Sequence, residues 1–507
     1  MVMGVNTNIS SLSAQRALVS AERSLETAME RLSSGKRINS AADDAAGLAI
    51  AERMNAQVSG LNMAVRNAND GIALSEAVEG SLVEIGDMLQ RMRELAVQAA
   101  SETLTNTDRN LVEKEFDALS AEITRISTTT TFNDQKILDG TLSSKLIQVG
   151  PGKSETVSIT VDNAAASALG AYTYVKDPIA TQTGTNAAGI ANTQTASEDI
   201  AINGNGVTKT TSASDAAAAA TDILGSAKEV ASQVNAFTGD TGVTAEARTG
   251  LKIFDPTAAL TTHTLSVAKA GDADDLVNVG SFQISASDVS QGVAAINAHS
   301  AETGVVATAG ITAASQHYIL LRDADGDDIV LQQTHASTDT LDAEPEKFDG
   351  TFGSKVDVGD SGDATDMVRQ RGVINFSSSD SFSLTTAGTH TKTYIAATSS
   401  SAISSIGSAS LTTVTNANAA ITSIDGAIAK VAEMRGDLGA ITNRLSHAAT
   451  NLMTVAEKTA GAVARVEDAD FSVESANLAK AQVLMQVGTA MLAQANAQPQ
   501  LVMQLLQ

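Results

Sequence analysis

Apolar residues recur in alternating three- and four-residue steps near both ends of this 507-residue chain, and its middle breaks the pattern. At the start, Leu18, Ala21, Leu25, Ala28 and Leu32 hold the row, and Ala14 and Ser11 extend it backwards. Such a row is the a/d seam of a coiled coil. Leu alternates with Ala along it, so the paired helices pack closely. Ser34-Gly35 ends this helix, because glycine suits a left-handed cap. Ser40 with Asp43 and Asp44 reads as the next helix start. From Met54 through Leu61, Ala68, Val78, Leu82, Ile85, Leu89, Met92 and Ala96 to Ala99 the same row continues. One three-three step, Ile72 to Ser75 to Val78, should overwind it locally. The rod is expected to be about 70 Å long. A third seam follows at Val112, Phe116, Leu119, Ile123 and Ile126.

The pattern returns from about Ala409. Ala417, Ile421, Ile424, Ile428, Val431, Met434, Leu438, Ile441 and Leu445 open a stripe that continues through Ala448, Leu452, Val455, Thr459, Ala462 and Val466. Beyond Asp468-Ala469-Asp470 a final helix carries Leu478, Ala481, Leu484, Val487, Met491, Leu492 and Ala495. Pro499 is expected to end it, leaving an apolar tail of Leu501, Val502, Met503, Leu505 and Leu506.

Between Thr128 and Ser408 the chain is rich in Ser, Thr, Gly, Asp and Ala, with short alternating runs. Ile147-Gln148-Val149 and Val157 to Val161, separated by Gly150-Pro151-Gly152, read as a β-hairpin. An internal repeat is also present. Val234-Asn235-Ala236 with Thr241-Gly242-Val243 matches Ile296-Asn297-Ala298 with Thr303-Gly304-Val305 at the same spacing. Each copy follows a helical stretch and precedes a strand run, so two related α+β units are expected.

Helices at both ends must meet in space to close their seams. The expected fold is mainly α: a helical-bundle, coiled-coil stalk formed by both chain ends, with inserted β-rich (α+β) outer domains. The expected divisions are a terminal helix over residues 1–40, half of the stalk with the hairpin over 41–165, and the insert over 166–405. The other half of the stalk takes 406–466, and a last helix takes 467–507. A narrow rod has much surface for its volume. The outermost helices, Ile9 to Leu32 and Leu478 to Leu506, cannot bury both faces within one chain and need partners.

Composition excludes several functions. Lys+Arg 33 against Asp+Glu 58 gives a net charge of −25, which argues against nucleic-acid binding and against docking on anionic lipid. Cysteine and tryptophan are absent and aromatics make up 3%, so thiol chemistry is excluded and material for a small-molecule pocket is scarce. The six histidines are scattered, and no zinc-protease, phosphate-loop or nucleophile-elbow motif occurs. Asp323 to Asp328 hints at a calcium loop. Its sixth and twelfth positions, Asp328 and Thr334, are wrong for one, so an acidic turn is expected there and at Asp272 to Asp275. No catalytic, metal or cofactor site is expected. Thr128 to Thr131 and Ser377 to Ser379 read as loop or as acceptors of O-glycans. No apolar run reaches the roughly 18 residues of a membrane helix, and the start lacks the pattern of a cleavable signal.

The segment Arg31-Leu32-Ser33-Ser34-Gly35-Lys36-Arg37-Ile38-Asn39-Ser40-Ala41-Ala42-Asp43-Asp44-Ala45-Ala46-Gly47 resembles bacterial flagellins. So do Asn6-Thr7-Asn8, the run Gln90 to Gln98, Phe132-Asn133, the run Arg465 to Phe471, Leu478 to Gln482 and Leu492 to Asn496. These motifs cover roughly residues 1–160 and 410–507. Asp134 departs from the family's usual Gly after Phe-Asn.

The resemblance implies a protein exported unfolded through the flagellar type III apparatus, without cleavage. It would polymerise beneath a cap, beyond the hook-junction proteins, into a hollow extracellular filament that carries motor torque. Terminal helices would form its concentric core, with Ile9, Leu12, Leu18, Leu25, Leu32, Leu484, Val487, Met491, Leu492 and Leu505 as core residues. For the C-terminal members, an ordinary intramolecular core is the competing reading. The resemblance also implies an export chaperone on Leu478 to Leu506, and a host toll-like receptor that reads Arg91, Leu95 and Glu115. A plain ion pair on a solvated flank is the bland reading of those three. A hook–filament junction protein, or a filament-borne adhesin acting through residues 166–405, is the alternative function.

Overall fold

The computed structural model describes residues 8–505 except 179–180, 185–199, 212–225, 257–260, 270–271, 313–314, 335–340, 359–364, 387–393 and 396–397. The chain divides into two compact units. One comprises residues 1–77, 144–160 and 438–507, and the other 78–143 and 161–437.

The first unit is built on long helices: α1 (Ile9–Ser34), the first part of α2 (Ala45–Ala99), and, further along the chain, the latter part of α8 (Val414–Glu467) and all of α9 (Phe471–Leu505). The Asn8 side chain caps α1 by accepting from the Ser11 N–H. Gly35, at φ +70°, closes the helix by donating its N–H to the Arg31 carbonyl. The seam positions of α1 are its least exposed, with Ala21 and Ala28 fully buried, as the period demands. α1 packs along α9.

Two expectations for this unit are corrected. Pro499 does not end α9, which runs on to Leu505. A proline inside a helix lacks the N–H owed to the carbonyl four residues earlier. Here that is the Ala495 carbonyl, and the Asn8 amide donates to it at 2.8 Å. Beyond Leu445, α8 buries Ala449, Ala456 and Val463, while Val455 is exposed. A straight helix drifts by about 20° per heptad against a 3.5-residue repeat, so the buried row moves one residue on.

The hairpin forms as read, with β3 (Lys145–Gln148) and β4 (Thr156–Ile159) antiparallel and Ile147 opposite Val157. It lies on the helices at two glycines. A Cβ on Gly60 would sit 3.2 Å from Pro151, and one on Gly71 would sit 3.4 Å from Ile147.

The second unit begins with the rest of α2, α3 (Asn106–Thr129) and the first part of α8. Val78, Leu82, Ile85, Leu89, Met92, Ala96 and Ala99 of α2 are buried, as are Phe116 and Ile123 of α3 and Ile424, Val431 and Met434 of α8. The turn from α2 to α3 is held by Arg109, whose guanidinium donates to the Ala99 and Ser101 carbonyls at 2.9 and 2.8 Å. Thr105 and Asp108 form a capping box at the start of α3, which holds the Asp108 carboxyl below its usual range. A two-stranded turn, β1 (Thr131–Phe132) with β2 (Gln135–Lys136), follows. Asn133 and Asp134 both take positive φ there, so Asp accepts the conformation expected of Gly.

The remaining strands form three sheets. One is four-stranded: β7 (Ile200–Gly204), β8 (Val207–Thr210), β19 (Ser383–Thr386) and β20 (Thr398–Ser400). A five-stranded sheet contains β6 (Gln182–Gly184), β10 (Thr261–Lys269), β11 (Asp272–Ile284), β14 (Ile329–Thr334) and β17 (Thr365–Gln370). The largest has β5 (Gly170–Val175), β9 (Thr244–Phe254), β12 (Val306–Ile311), β13 (His317–Asp323), β18 (Val373–Ser378) and β21 (Ala402–Ser405), extended by β15 (Leu341–Pro345) and β16 (Val356–Val358). Leu251, Ile253, Ile319 and Leu321 of this sheet share one core with Leu265, Val267, Ile329 and Leu331 of the five-stranded one.

The repeat read from the sequence is real in three dimensions. Helix α4 (Ala227–Ala236), turn helix α5 (Thr238–Thr241) and β9 form one copy; α6 (Ser290–Ala298), α7 (Ser300–Thr303) and β12 form the other. Asn235 exchanges two hydrogen bonds with the Ala245 backbone, and Asn297 does the same with Ala307, all four at 2.8 Å. Each amide takes the place of a neighbouring strand on the side of Ala245 or Ala307 away from its paired strand. Gly242 and Gly304 close the turns at φ +70° and +78°.

Candidate assembly surface

α9 carries two apolar rows. The row facing α1 is Leu478, Ala481, Met485, Gly488, Leu492 and Ala495, the less exposed positions. Large and small residues alternate along it, as they do on α1. Gly488 permits close approach, since a Cβ there would lie 3.1 Å from Leu18. Of the expected core residues, Leu18, Leu25, Leu32 and Leu492 belong to this intramolecular seam. Met485 and Gly488 were missed, although a strict three-four count from Leu478 finds them.

Among the described residues nothing covers the second row of α9. Leu484, Val487 and Met491 are 48%, 52% and 59% exposed. Ile9 and Leu12 of α1 are likewise exposed, at 72% and 49%. Ile9, Ala14, Ala17, Leu484, Val487 and Met491 line an open groove along the α1–α9 pair. Large exposed apolar strips of this kind mark interaction surfaces. The Leu505 side chain lies outside the described residues.

Near the other end of the pair the two interhelical linkers cross. Lys36 bridges to Asp468 as a β-bridge, and the Arg37 and Ala469 N–H groups donate to the Glu467 and Gly35 carbonyls at 2.6 and 3.0 Å. The Glu467 carboxylate, almost wholly buried, binds the Lys36 ammonium and lies 3.4 Å from the Asn55 amide. It holds Lys36 above its usual value. Arg31 donates to Glu474 at 3.1 Å.

In the second unit, Arg91 pairs with Glu115 and with Glu94, both at 2.8 Å and largely in solvent. These carboxylates raise the arginine further above its usual value. Leu95 corrects the reading that groups it with Arg91 and Glu115 on a solvated flank. It is 2% exposed, one residue from Ala96 on a buried face wider than a two-position seam. The ion pair is displayed and the leucine is not.

Other candidates resolve into structure. In the Asp323 turn, the Asp323 carboxylate accepts from the Asp325 and Gly326 N–H groups. The cation against the turn is the Lys228 ammonium, 3.1 Å from Asp325 and 2.8 Å from Asp327. His263 is buried between Asp255 and Thr261 on one ring nitrogen and Gln333 on the other, at 3.1, 2.8 and 3.0 Å. Nucleophile and acid share one nitrogen and the cluster is sealed, so this is a packing device and not a triad. His335 and His390 lie outside the described residues. No group of residues suited to a metal ion occurs among the described residues, nor a helix long and apolar enough to cross a membrane.

Comparison with known proteins agrees with this architecture. The bacterial flagellin N-terminal helical region matches residues 5–143, and the bacterial flagellin C-terminal helical region matches 421–506. The B-type flagellin of Pseudomonas aeruginosa is 36% identical over 514 residues, covering 100% of both chains. A flagellin of Salmonella typhimurium is 33% identical over 543 residues, again covering 100% of both. A solved structure of FliC from Burkholderia pseudomallei covers 74% of this chain and 99% of its own, with 18% identity and a TM-score of 0.29. The chain belongs to the bacterial flagellin family. It is a structural subunit of the extracellular flagellar filament and not an enzyme.

Proposed function

We propose that the exposed faces of α1 and α9 carry the contacts between subunits, with Ile9, Leu12, Leu484, Val487 and Met491 as the apolar anchors. The supporting observation is the second apolar row of α9, which this chain leaves in solvent. A surface that meets a different surface on the next copy, without closing, generates a helical polymer. Leu18, Leu25, Leu32 and Leu492 serve by holding the two helices together. Export through the flagellar type III apparatus without cleavage belongs to the same reading, as do the cap and an export chaperone on the segment from Leu478. The test is seeded growth: heat-dissociated monomer added to filament fragments should extend them, and a chain ending before Leu478 should not. Normal filaments from the truncated chain would overturn this reading.

Recognition by a host toll-like receptor is a second reading for the monomer, carried by the displayed Arg91–Glu115 pair. Arg91→Ala with Glu115→Ala should weaken receptor signalling by monomer, whereas Leu95→Ala should act through loss of folding. An unchanged dose response for the double variant removes the reading. A hook-junction role, or adhesion through residues 166–405, has no observation in its favour beyond the shared helical ends.

A further inference from the structure

The seam between α1 and α9 is nearly blind to sliding. Large residues recur every seven positions on α1 at Leu18, Leu25 and Leu32, with small ones between them. The α9 row repeats with the same period, large against small. Displacing one helix along the other by a heptad, about 10.5 Å at 1.5 Å per residue, again sets large against small. The connections permit it on one side. Between α8 and α9 the chain has only Asp468 to Asp470, but between α1 and α2 it has Gly35 to Asp44. Ten residues reach roughly 33 Å when extended, enough slack for α1 to move outward by a heptad.

We infer that polar contacts at the two ends of the pair, and not the apolar seam, fix the register of α1 on α9. Asn8 is the outer lock and the basic linker is the inner one. The outer lock rests on Pro499, the one proline of α9. Its missing N–H leaves the Ala495 carbonyl open, a marked position within the helix. The Asn8 amide donates to that carbonyl at 2.8 Å while its oxygen caps α1 at the Ser11 N–H, 3.1 Å away. Displaced outward by seven residues, the same amide would leave the Ala495 carbonyl without its donor. Pro499 is thus a registration mark as well as a helix defect.

The inner lock is one of charge. Arg31 and Lys36 face Glu474 and Glu467, both carboxylates being almost fully buried. A slip would strand two buried carboxylates without their cations, an arrangement far costlier than losing an exposed pair. A polar residue that selects one register of a repeating seam at some cost in stability is a known device in coiled coils. Here the two halves of each lock lie more than 400 residues apart in sequence. They align the chain ends on which the proposed assembly surface is built, so this inference rests on that reading.

The chain has no cysteine, so introduced pairs report register cleanly. Ser11 and Asn496 touch at 2.8 Å, and Ser11→Cys with Asn496→Cys marks the native register. Leu18→Cys with Asn496→Cys marks the outward heptad slip. In the full-length chain the first pair should oxidise readily and the second should not. Adding Asn8→Asp, which keeps the cap acceptor but cannot donate to Ala495, together with Glu467→Gln and Glu474→Gln, should slow the first cross-link at least tenfold and raise the second. Lys36→Arg should leave both unchanged. If the triple variant keeps the native pattern, or the parent never forms the native cross-link, the inference is wrong. Seeded growth of the parent without cysteines tests the filament reading separately, so failure of one is distinguishable from failure of the other.

Discussion

The terminal pair α1–α9 and the β-rich insert solve the same problem in opposite ways. The insert hides its apolar residues within itself. Leu251, Ile253, Leu265, Ile319, Leu321 and Leu331 are all at most 1% exposed in one shared core. The terminal pair buries one narrow seam of mostly small residues and leaves a second stripe in water. Charge divides along related lines. The unit holding α1 and α9 has 13 basic and 14 acidic residues, while the other has 20 basic and 44 acidic. A nearly neutral, half-covered helical part suits close association of like copies. A strongly acidic, self-sufficient part repels its own kind and stays soluble. On the proposed reading, folding and assembly fall to different stretches of one chain.

The sharpest way to break this division is to remove the exposed stripe. Leu484→Ala with Val487→Ala and Met491→Ala should lower the rate of seeded growth by a hundredfold or more. All four tyrosines lie between Tyr172 and Tyr394 and tryptophan is absent, so tyrosine fluorescence reports the insert alone. Its urea midpoint should not move in this variant. The converse is Leu321→Ala in the insert core. It should cost about 3 kcal/mol in the tyrosine-reported transition and leave seeded growth intact. If either variant disturbs both measurements alike, the division fails.

Asn235→Ala and Asn297→Ala sharpen the account of the insert. Each strips two backbone partners from a strand edge, and each should cost about 2 kcal/mol. Matching losses would show that the two copies share energetics as well as geometry. The smallest effect is expected from Lys430, which sits within 3.2 Å of Asp162, Asp380 and Glu433. These carboxylates raise its pKa, although burial opposes them. A raised amine stabilises the fold fully below its unfolded value of 10.5 and loses that contribution as pH rises through the folded value. Lys430→Met should therefore flatten the alkaline loss of insert stability, by less than about 1 kcal/mol.

Much of this was legible in the sequence, and the misses share a cause. Strong markers carried the seams of α1, α2 and α3, where Leu, Ile and Phe hold the phase. In α9 the seam against α1 also contains Met485 and Gly488, which the louder Leu484, Val487 and Met491 on the neighbouring face obscured. In α8 the count beyond Leu445 followed an ideal heptad, while a straight helix follows 3.6 residues per turn. The continuation of α9 past Pro499 depends on Asn8, nearly the whole chain away, and no local signal reports it. The repeat was legible because its asparagine and glycine do backbone work, which tolerates little substitution. The burial of His263 was not, since its partners come from separate strands.

The insert begins and ends at one doorway. Its first strand, β5, lies against its last, β21, with Gly170 opposite Ser405 and Thr173 opposite Ala402. Just outside them, the Leu169 and Ala166 carbonyls accept from the Ile406 and Gly407 N–H groups at 2.9 Å. Whatever hangs between those two strands adds little entropic strain to the helices, because the threads leave and return side by side. The loop between those strands can therefore be exchanged, enlarged or trimmed with little disturbance to the helices at its base.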